Sequence, residues 1–323
     1  HRMIQTIDGL LPDTDYEIML VRANEASETV TFHTEPEPIT LNVRDFGAFG
    51  DGVHDDTSAI QAAILCCPKN ARVLIPKGTY PVTALFLKSD MILELQENAV
   101  LAGIYDRART PILPGQIEYD NEDGYYNLGS WEGNPIDSFA SMITGIHVKN
   151  VTICGKGVLD GRADFENWWS RPKDKIRAWR PRMIFLNHCE NITVVGVTVQ
   201  NSPAWNLHPY FSNQIRFLDM EVKGPANSHN TDGCDPESCT NVEIAGVHFS
   251  VGDDCIAIKS GKIYMGKKFK VPSKHIHIRQ SWMQDGHGAV TVGSEIAAGV
   301  DDIHISKCRF SNTDSCLLYT SDA

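Results

Sequence analysis

Three aspartates and one histidine are the residues of this chain whose types and spacing invite chemistry. Asp232 sits in Asn230-Thr-Asp-Gly233, Asp253 and Asp254 follow Gly252, and His287 stands between Gly286 and Gly288. Taken singly, each aspartate is ordinary turn chemistry, since Asn-Thr-Asp-Gly and Gly-Asp-Asp both favour tight turns. Together they could do more. Cleavage of a glycosidic bond needs one protonated carboxyl to donate to the leaving oxygen, and a second, ionised one to activate water or attack the sugar. Carboxyls placed close enough to repel take different protonation states, and a neighbouring imidazole can hydrogen-bond the acid. Asp232 and Asp253 are 21 residues apart, about one turn of a coiled sheet, so they are expected to stack roughly 5 Å from one another. On a regular strand Asp253 and Asp254 would point to opposite faces. Gly252 predicts a bend that lets both reach one groove.

The elements that must position these groups repeat along the chain. Short apolar-polar-apolar runs recur at Val151-Thr-Ile153, Ile192-Thr-Val194, Ile215-Arg-Phe217, Val242-Glu-Ile244, Ile276-His-Ile278 and Ile303-His-Ile305, with starts 41, 23, 27, 34 and 27 residues apart. Each reads as a half-buried strand followed by a glycine or polar turn. No helical pattern of comparable length intervenes, which disfavours a doubly wound α/β fold. The predicted class is all-β: a right-handed parallel β-helix of about 20–27 residues per coil, the longest interval holding two coils. Asp55-Asp56-Thr57 ahead of Ser58–Leu65 predicts one capped helix with Ala59, Ile60, Ala63 and Ile64 on its apolar face. Asp51, Asp55 and Asp56 invite a metal hypothesis, but capping accounts for two of the three, and no metal or cofactor is expected. Two stretches exceed the repeat, about 104–137 and about 162–182. Long insertions on one face of a solenoid often carry ligand contacts. Trp168, Trp169, Trp205 and Trp282 could stack on sugar faces, though burial in the core is the ordinary reading of each.

Composition bounds the partners. The chain has 323 residues, 42% hydrophobic and 22% charged, enough for a large core. No run approaches the ~18 apolar residues of a membrane helix, so no membrane partner is expected. A net charge of −12 argues against nucleic acid as the main partner. Two basic clusters run against that balance: Arg162, Arg171, Lys173, Lys175, Arg177, Arg180 and Arg182, then Lys262, Lys267, Lys268, Lys270 and Lys274. Either is solvated loop charge or a local positive potential beside a groove for an anionic chain. Nine cysteines without a C-x-x-C pair suggest neither a complete disulfide framework nor a zinc site. Buried thiols are expected, Cys234 and Cys255 stacking on successive coils, with a Cys234–Cys239 bridge conceivable in an oxidising compartment.

The start of the chain is of another kind. Leu10-x-Pro-x-Thr-x-Tyr16 lies ahead of strand-like Glu17–Ala23 and Thr29–Thr34. This resembles the last strands of a fibronectin type III domain with Tyr16 as its tyrosine corner. Two or three strands do not make a stable sandwich, so the expected boundaries are residues 1–35 for the end of a cut domain, 36–38 for a stiff Pro-Glu-Pro linker and 39–323 for a β-helix.

The motifs NTDG at 230–233, GDDCIAIKSG at 252–261 and DGHG at 285–288, in this order on a β-helix pattern, resemble the polygalacturonase family of glycoside hydrolases, family 28. Asn201-Ser-Pro-Ala-Trp-Asn-Leu-His-Pro209 is similar too, and the resemblance covers about residues 39–316. The glycine-rich turn at Asn42–Gly52 and the helix after it resemble the entry of pectinase-like β-helices, where the helix shields the open edge of the first coil. The resemblance implies hydrolysis of α-1,4-galacturonosidic bonds in pectin or polygalacturonate with inversion. It makes Asp253 the general acid, has Asp232 and Asp254 position and deprotonate the water, and has His287 support the acid. Asn230, Gly288, Lys259 and His208 join as substrate-binding candidates, and Lys267 and Lys268 as subsite ligands for sugar carboxylates. Inversion usually asks for carboxyls ~6.5–9.5 Å apart, more than stacked neighbours give. The lysine-rich insertion stretches Asp253-to-His287 to 34 residues and could close one groove end, which favours exo-cleavage. The family normally has an Arg-x-Lys pair on the coil after the histidine motif, whereas here no Arg or Lys follows Arg309, so either the chain is truncated, which is the favoured expectation, or it has lost a binding element. The implied partner is an acidic galacturonan, met by a monomer in an extracellular or periplasmic setting, although no secretory signal opens the chain at His1-Arg-Met3. Two other readings stay open: a lyase or rhamnogalacturonan-active β-helix enzyme, and a non-catalytic carbohydrate-binding β-helix.

Overall fold

A computed structural model describes residues 4–22, 25–26, 28–118 and 125–320. The six short runs read from the sequence form one register, and the 41-residue interval from Val151 to Ile192 is one coil lengthened by the insertion at 162–182, not the two coils expected. Val151, Ile192, Ile215, Val242, Ile276 and Ile303 are successive partners in a nine-stranded parallel sheet that starts at Thr40–Asn42 and ends at Val300–Ser306. An eight-stranded parallel sheet runs beside it from Gly78–Val82 to Arg309–Ser311. A third sheet completes each coil. Its first part is Leu85–Phe86, Ile143–Ile146, Ile184–Asn187 and Leu207–Tyr210, and its second is Ala257–Ile258, Gly288–Val292 and Ser315–Tyr319. Between the two parts, residues 234–237 are joined only by single bridges, from Leu207 to Cys234 to Ile256 and from Tyr210 to Glu237 to Lys259. Pro236 has no N–H to give to a ladder there. Coils of three parallel strands with right-handed crossovers make a right-handed parallel β-helix. Inward residues of all three sheets, among them Ile153, Val199, Leu207, Phe217, Ile244, Ile258 and Val290, form one continuous apolar column.

Corners between strands explain why the repeat is visible but not identical. Asp90, Asn150, Asn191, Gln214, Asn241, His275 and Asp302 occupy the same register in successive coils, all with φ between 54° and 59°. Short polar side chains tolerate this left-handed conformation better than apolar ones. They also bond along the axis: Asn150 donates to Asp90 at 2.7 Å and Asn191 to Asn150 at 2.9 Å. At a second corner the rungs are hydroxyl and thiol, Cys189 N–H to Ser212 Oγ at 2.9 Å, Ser212 N–H to Cys239 Sγ at 3.4 Å and Cys239 N–H to Ser273 Oγ at 3.1 Å. All nine cysteines are free, Cys234 and Cys239 included, so the conceivable bridge between those two is absent; five are buried thiols, Cys66 and Cys316 are exposed, and the coil neighbour of Cys234 is Ile256 rather than the expected Cys255.

The predicted helix is α1, Thr57–Cys66, with Ile60, Ala63 and Ile64 buried. Only one acid serves its N-terminus: Asp55 accepts from Thr57 N–H at 2.9 Å. Asp56 instead binds Phe49 and Gly50 N–H at 2.6 and 3.0 Å, and Asp51 binds Val53 and His54 N–H at 2.9 and 3.0 Å. Capping thus accounts for one acid of the three, and loop closure for the other two. A second, short helix, α2, spans Ile263–Phe269.

In the N-terminal region the expected strands are shorter than read. Asp15–Ile18 pairs antiparallel with Val30–His33, and Val21–Arg22 with Glu25–Ala26; residues 23, 24 and 27 lie outside the described residues. Leu11 N–H donates to Tyr16 Oη at 2.7 Å, and the Tyr16 ring stacks on Phe32. The segment before these strands lies along the β-helix: Thr6 N–H donates to Asp219 Oδ2 at 2.6 Å, and Ile4 packs on Gly246, where a Cβ would come within 2.6 Å of it. Among the described residues no helix is long and apolar enough to cross a membrane.

Candidate active site

The break in the third sheet is where the three aspartates meet. Because Cys234 bridges Ile256 and Gly233 N–H donates to Asp254 O at 2.8 Å, the one-coil neighbour of Asp232 is Asp254 rather than Asp253. The ruler of 21 residues was therefore short by one. Residues 251–254 leave the regular strand, so Asp253 and Asp254 escape alternation as expected. Carboxylate oxygens of Asp232, Asp253 and Asp254 all lie within 4.8 Å of one another.

Gly252 acts by close approach rather than by a left-handed bend. A Cβ there would fall 2.5 Å from Ser228 Oγ and 2.7 Å from Ser228 N. The same loop is pinned by Thr231 Oγ1, which pairs with Ser228 Oγ at 2.6 Å and accepts from Gly252 N–H at 3.2 Å. Gly288 has a comparable reason: its Cβ would stand 2.7 Å from Asp254 Oδ1 and closer still to Thr291 Oγ1. It shapes the site by what it lacks.

His287 lies one coil beyond Asp253, its N–H donating to Asp253 O at 3.1 Å. The exposed ring faces a residue the sequence reading did not anticipate: Nδ1 pairs with Asp314 Oδ2 at 3.1 Å. That hydrogen bond to Asp314 raises the imidazole pKa, against a lesser lowering by burial, with the Asp254 and Asp253 carboxylates adding to the rise. An imidazolium beside the groove is favoured accordingly.

The carboxylates differ in depth. Asp253 is half-buried, and Asp232 and Asp254 are buried at 5% and 8% exposure. Burial pushes Asp232 well above the ordinary carboxylate range, and like charge from Asp235 and Asp253 pushes the same way. Asp254 is raised by burial and then by Asp253. Asp235, a fourth acid that sequence reasoning missed, is fully buried, and its carboxyl pairs with no residue other than Asp232 among the described residues. Burial raises it as well, with Lys259 opposing. Protons in such a group belong to the cluster rather than to one residue.

A layer of charged and aromatic side chains covers the same face. Arg180 donates to the carbonyls of Pro203, His229 and Pro172 and to Asn230 Oδ1, at 2.6–3.1 Å. Asn230 is thus a buttress for the loop that carries Asp232. Arg182 is buried against Trp131, Phe185 and Trp205 and donates to Ser130 O. Desolvation pushes both guanidiniums down to about 10, still charged at neutral pH. The first basic cluster therefore divides: Arg180 and Arg182 underpin the site, while Arg162, Arg171, Lys173, Lys175 and Arg177 are exposed. Trp168, Trp169 and Trp205 are buried, as the ordinary reading had it, and the half-buried Trp282 stacks on His248.

Two expected substrate ligands lie in the interior instead. His208 is fully buried with Nε2 paired to Glu237 Oε2 at 2.9 Å. Burial and the neighbouring Arg182 and Lys259 charges hold the imidazole neutral, and burial raises Glu237 to about 7. Lys259 is 6% exposed and ion-paired to Glu295 at 2.8 Å. The sequence could not show this, because both residues occupy outward positions of the sheet and are enclosed by side chains of neighbouring coils, among them Trp205, Glu237 and Glu295. Lys267 and Lys268 are exposed on α2; Lys268 Nζ reaches Tyr264 Oη at 3.4 Å. Their helix docks beside the site, with Lys262 N–H bonded to Gly133 O and Gly266 packed on Ala297.

Oxygens at this spacing would also suit a hard cation. Lys259 and Arg180 already oppose the cluster's charge, and we assign it no ion. What the arrangement can do is hold and release protons among closely spaced carboxyls of unequal depth, the outermost of them half-buried.

Residues 115–319 match the model of the glycosyl hydrolases family 28, and residues 40–153 that of rhamnogalacturonase A/epimerase, pectate lyase-like proteins. A probable polygalacturonase of Vitis vinifera is 31% identical over 84% of this chain and 55% of its own. An endo-polygalacturonase of Pectobacterium parmentieri is 29% identical over 82% of this chain and 64% of its own. The solved family 28 exopolygalacturonase of Yersinia enterocolitica superposes with a TM-score of 0.79 at 27% identity, over 97% of this chain and 62% of that one. The chain thus spans between about half and two thirds of the length of these relatives.

Proposed function

The chain belongs to the glycosyl hydrolases of family 28, and from that premise we propose that it hydrolyses α-1,4-galacturonosidic bonds of polygalacturonate, releasing short products from chain ends. The observation that carries the reading is the meeting of Asp232, Asp253 and Asp254 within 4.8 Å at one coil edge. Asp253 is the general acid: it is the least buried of the three and lies one coil from His287. Asp232 and Asp254, deeper and mutually repelling, hold the water and take its proton. His287, favoured as the cation by Asp314, stabilises negative charge left on the acid. Asn230 and Gly288 serve by fixing the two loops, and Lys267 and Lys268 on α2 are subsite cations for sugar carboxylates.

We assign an inverting course on the family resemblance. The spacing alone favours the other outcome, since retaining enzymes hold their carboxyls ~5–5.5 Å apart. Proton NMR of the first-formed product anomer decides between them. Mode of attack is open among relatives, which include both an endo-polygalacturonase and an exopolygalacturonase. α2 and the insertion it docks on support the exo mode. The substrate places the action outside the cell or in the periplasm, by a monomer. Residues 1–35 fit the end of a fibronectin type III-like domain, supported by the Leu11–Tyr16 bond, with 36–38 as linker.

Incubation of the full-length protein with polygalacturonate is expected to release mono- or digalacturonate, identified by mass, with little early fall in viscosity. A rapid viscosity drop would sink the exo mode, and an unsaturated product absorbing in the ultraviolet would identify a lyase. Asp253→Asn is expected to lower kcat at least ~10²-fold, in line with loss of a general acid; unchanged turnover overturns the assignment.

A further inference from the structure

Lys259 is the charged residue near the site that the proposed reaction leaves idle. Its ammonium is nearly enclosed, donating to Glu295 Oε2 at 2.8 Å and Gly293 O at 3.2 Å, and lies 5.1 Å from the centre of the Trp205 ring. A buried lysine is costly unless its surroundings supply opposite charge. Here three packed segments do so. Asp232, Asp235 and Glu237 come from the break in the third sheet, Asp254 from the same coil as Lys259, and Glu295 from the segment after Gly288–Val292. Arg182 and the neutral His208 also border Lys259, while Asp253, Arg180 and His287 face the same carboxylates. Glu237 is the direct β-bridge partner of Lys259, and Asp235, two residues before it, is fully buried against Asp232 with the Lys259 charge opposing its rise. Buried acids thus outnumber buried cations around Lys259, and Glu295 alone holds its ammonium by an ion pair.

We propose that Lys259 is a positioning residue that sets how many protons the buried group Asp232–Asp235–Asp254 holds, while Glu295 fixes the ammonium and moderates its charge. It acts through the carboxylates and touches no substrate. This deepens the hydrolase reading and rests on it. The two partners must act with opposite sign. Without the lysine's positive charge the buried acids keep their protons to higher pH. Without the Glu295 negative charge they lose them at lower pH.

The test measures kcat/KM on polygalacturonate against pH for the full-length protein, Lys259→Met and Glu295→Gln. Lys259→Met is expected to move the acidic limb upward by about one pH unit or more, the size expected for removing a close opposite charge. Glu295→Gln is expected to move it downward. A rise in KM with both limbs unmoved overturns the proposal and makes Lys259 a substrate ligand. Loss of activity at all pH with no movement of the limb in either variant also overturns it and leaves a structural ion pair. If Lys259→Met does not fold, the downward limb of Glu295→Gln decides alone. Turnover that survives Asp253→Asn would instead overturn the underlying reaction, so the two failures are separable.

Discussion

At the scale of single residues, the site trades stability for chemistry. Asp235 is fully buried with only the Asp232 carboxyl as a side-chain partner, and burial holds its carboxyl well above the ordinary range. The folded state therefore keeps a proton that the unfolded chain gives up. Its stabilising contribution is complete below the unfolded carboxylate pKa and is lost as pH rises through the folded value. Asp235→Asn keeps the shape and removes the titration. We expect its melting temperature to match the parent near pH ~4 and to exceed it above pH ~7, by calorimetry; an equal offset at both would refute the cause. Sequence alone gave the identities of Asp232, Asp253, Asp254 and His287 and the motifs that link them. It missed Asp235 and Asp314 because each reads as another turn aspartate. It placed His208 and Lys259 at the groove because burial by side chains of neighbouring coils leaves no mark on a local pattern.

At the scale of elements, the strands were legible because their inward residues alternate, and period-2 alternation survives any change of side chain. The corners were less so. Asn150, Asn191 and Asn241 hint at the left-handed register, but Gln214, His275 and Asp302 share it with other side chains, and no single residue type announces it. Backbone conformation is conserved there by geometry while chemistry varies. Asn241 has φ of 56° and donates to Asn213 Oδ1 at 2.9 Å. A β-branched residue at this position meets its own backbone and loses the amide bond. Asn241→Val is expected to cost about 2 kcal/mol in urea unfolding, and Asn241→Gly distinctly less, since glycine takes this φ freely. Equal costs would mean that the amide bond, not the backbone, dominates. Gly252 teaches the converse lesson: its lack of a side chain makes room for Ser228, a neighbour that only the coiled geometry brings near.

At the scale of the whole molecule, the coils supply a long groove and the insertions decide how much of it stays open. A bare β-helix face would admit a polymer along its length. In this chain the segment that interrupts the repeat between Asp253 and His287 folds into α2, and three contacts bind it, two to the first insertion and one to the turn after Gly288–Val292. Lys262 N–H reaches Gly133 O, Gly266 packs on Ala297, and Asn127 Nδ2 reaches Met265 Sδ at 3.6 Å. A Cβ on Gly133 would stand 2.7 Å from Lys262 N, so the two insertions meet at backbone distance and neither can swing without the other. On the proposed reading, a wall assembled this way suits the capture of a chain end, and its exposed lysines would meet an anionic polymer. Replacing residues 262–270 by a short glycine-serine link should open that end while leaving the carboxylates in place. The variant is expected to release a ladder of oligogalacturonates and lower viscosity early, where the parent releases only the shortest products. If the product set is unchanged, α2 is packing and not a stop, and the mode of attack is set by the first insertion, whose Trp131 stacks on Trp179 at 4.6 Å on the same face.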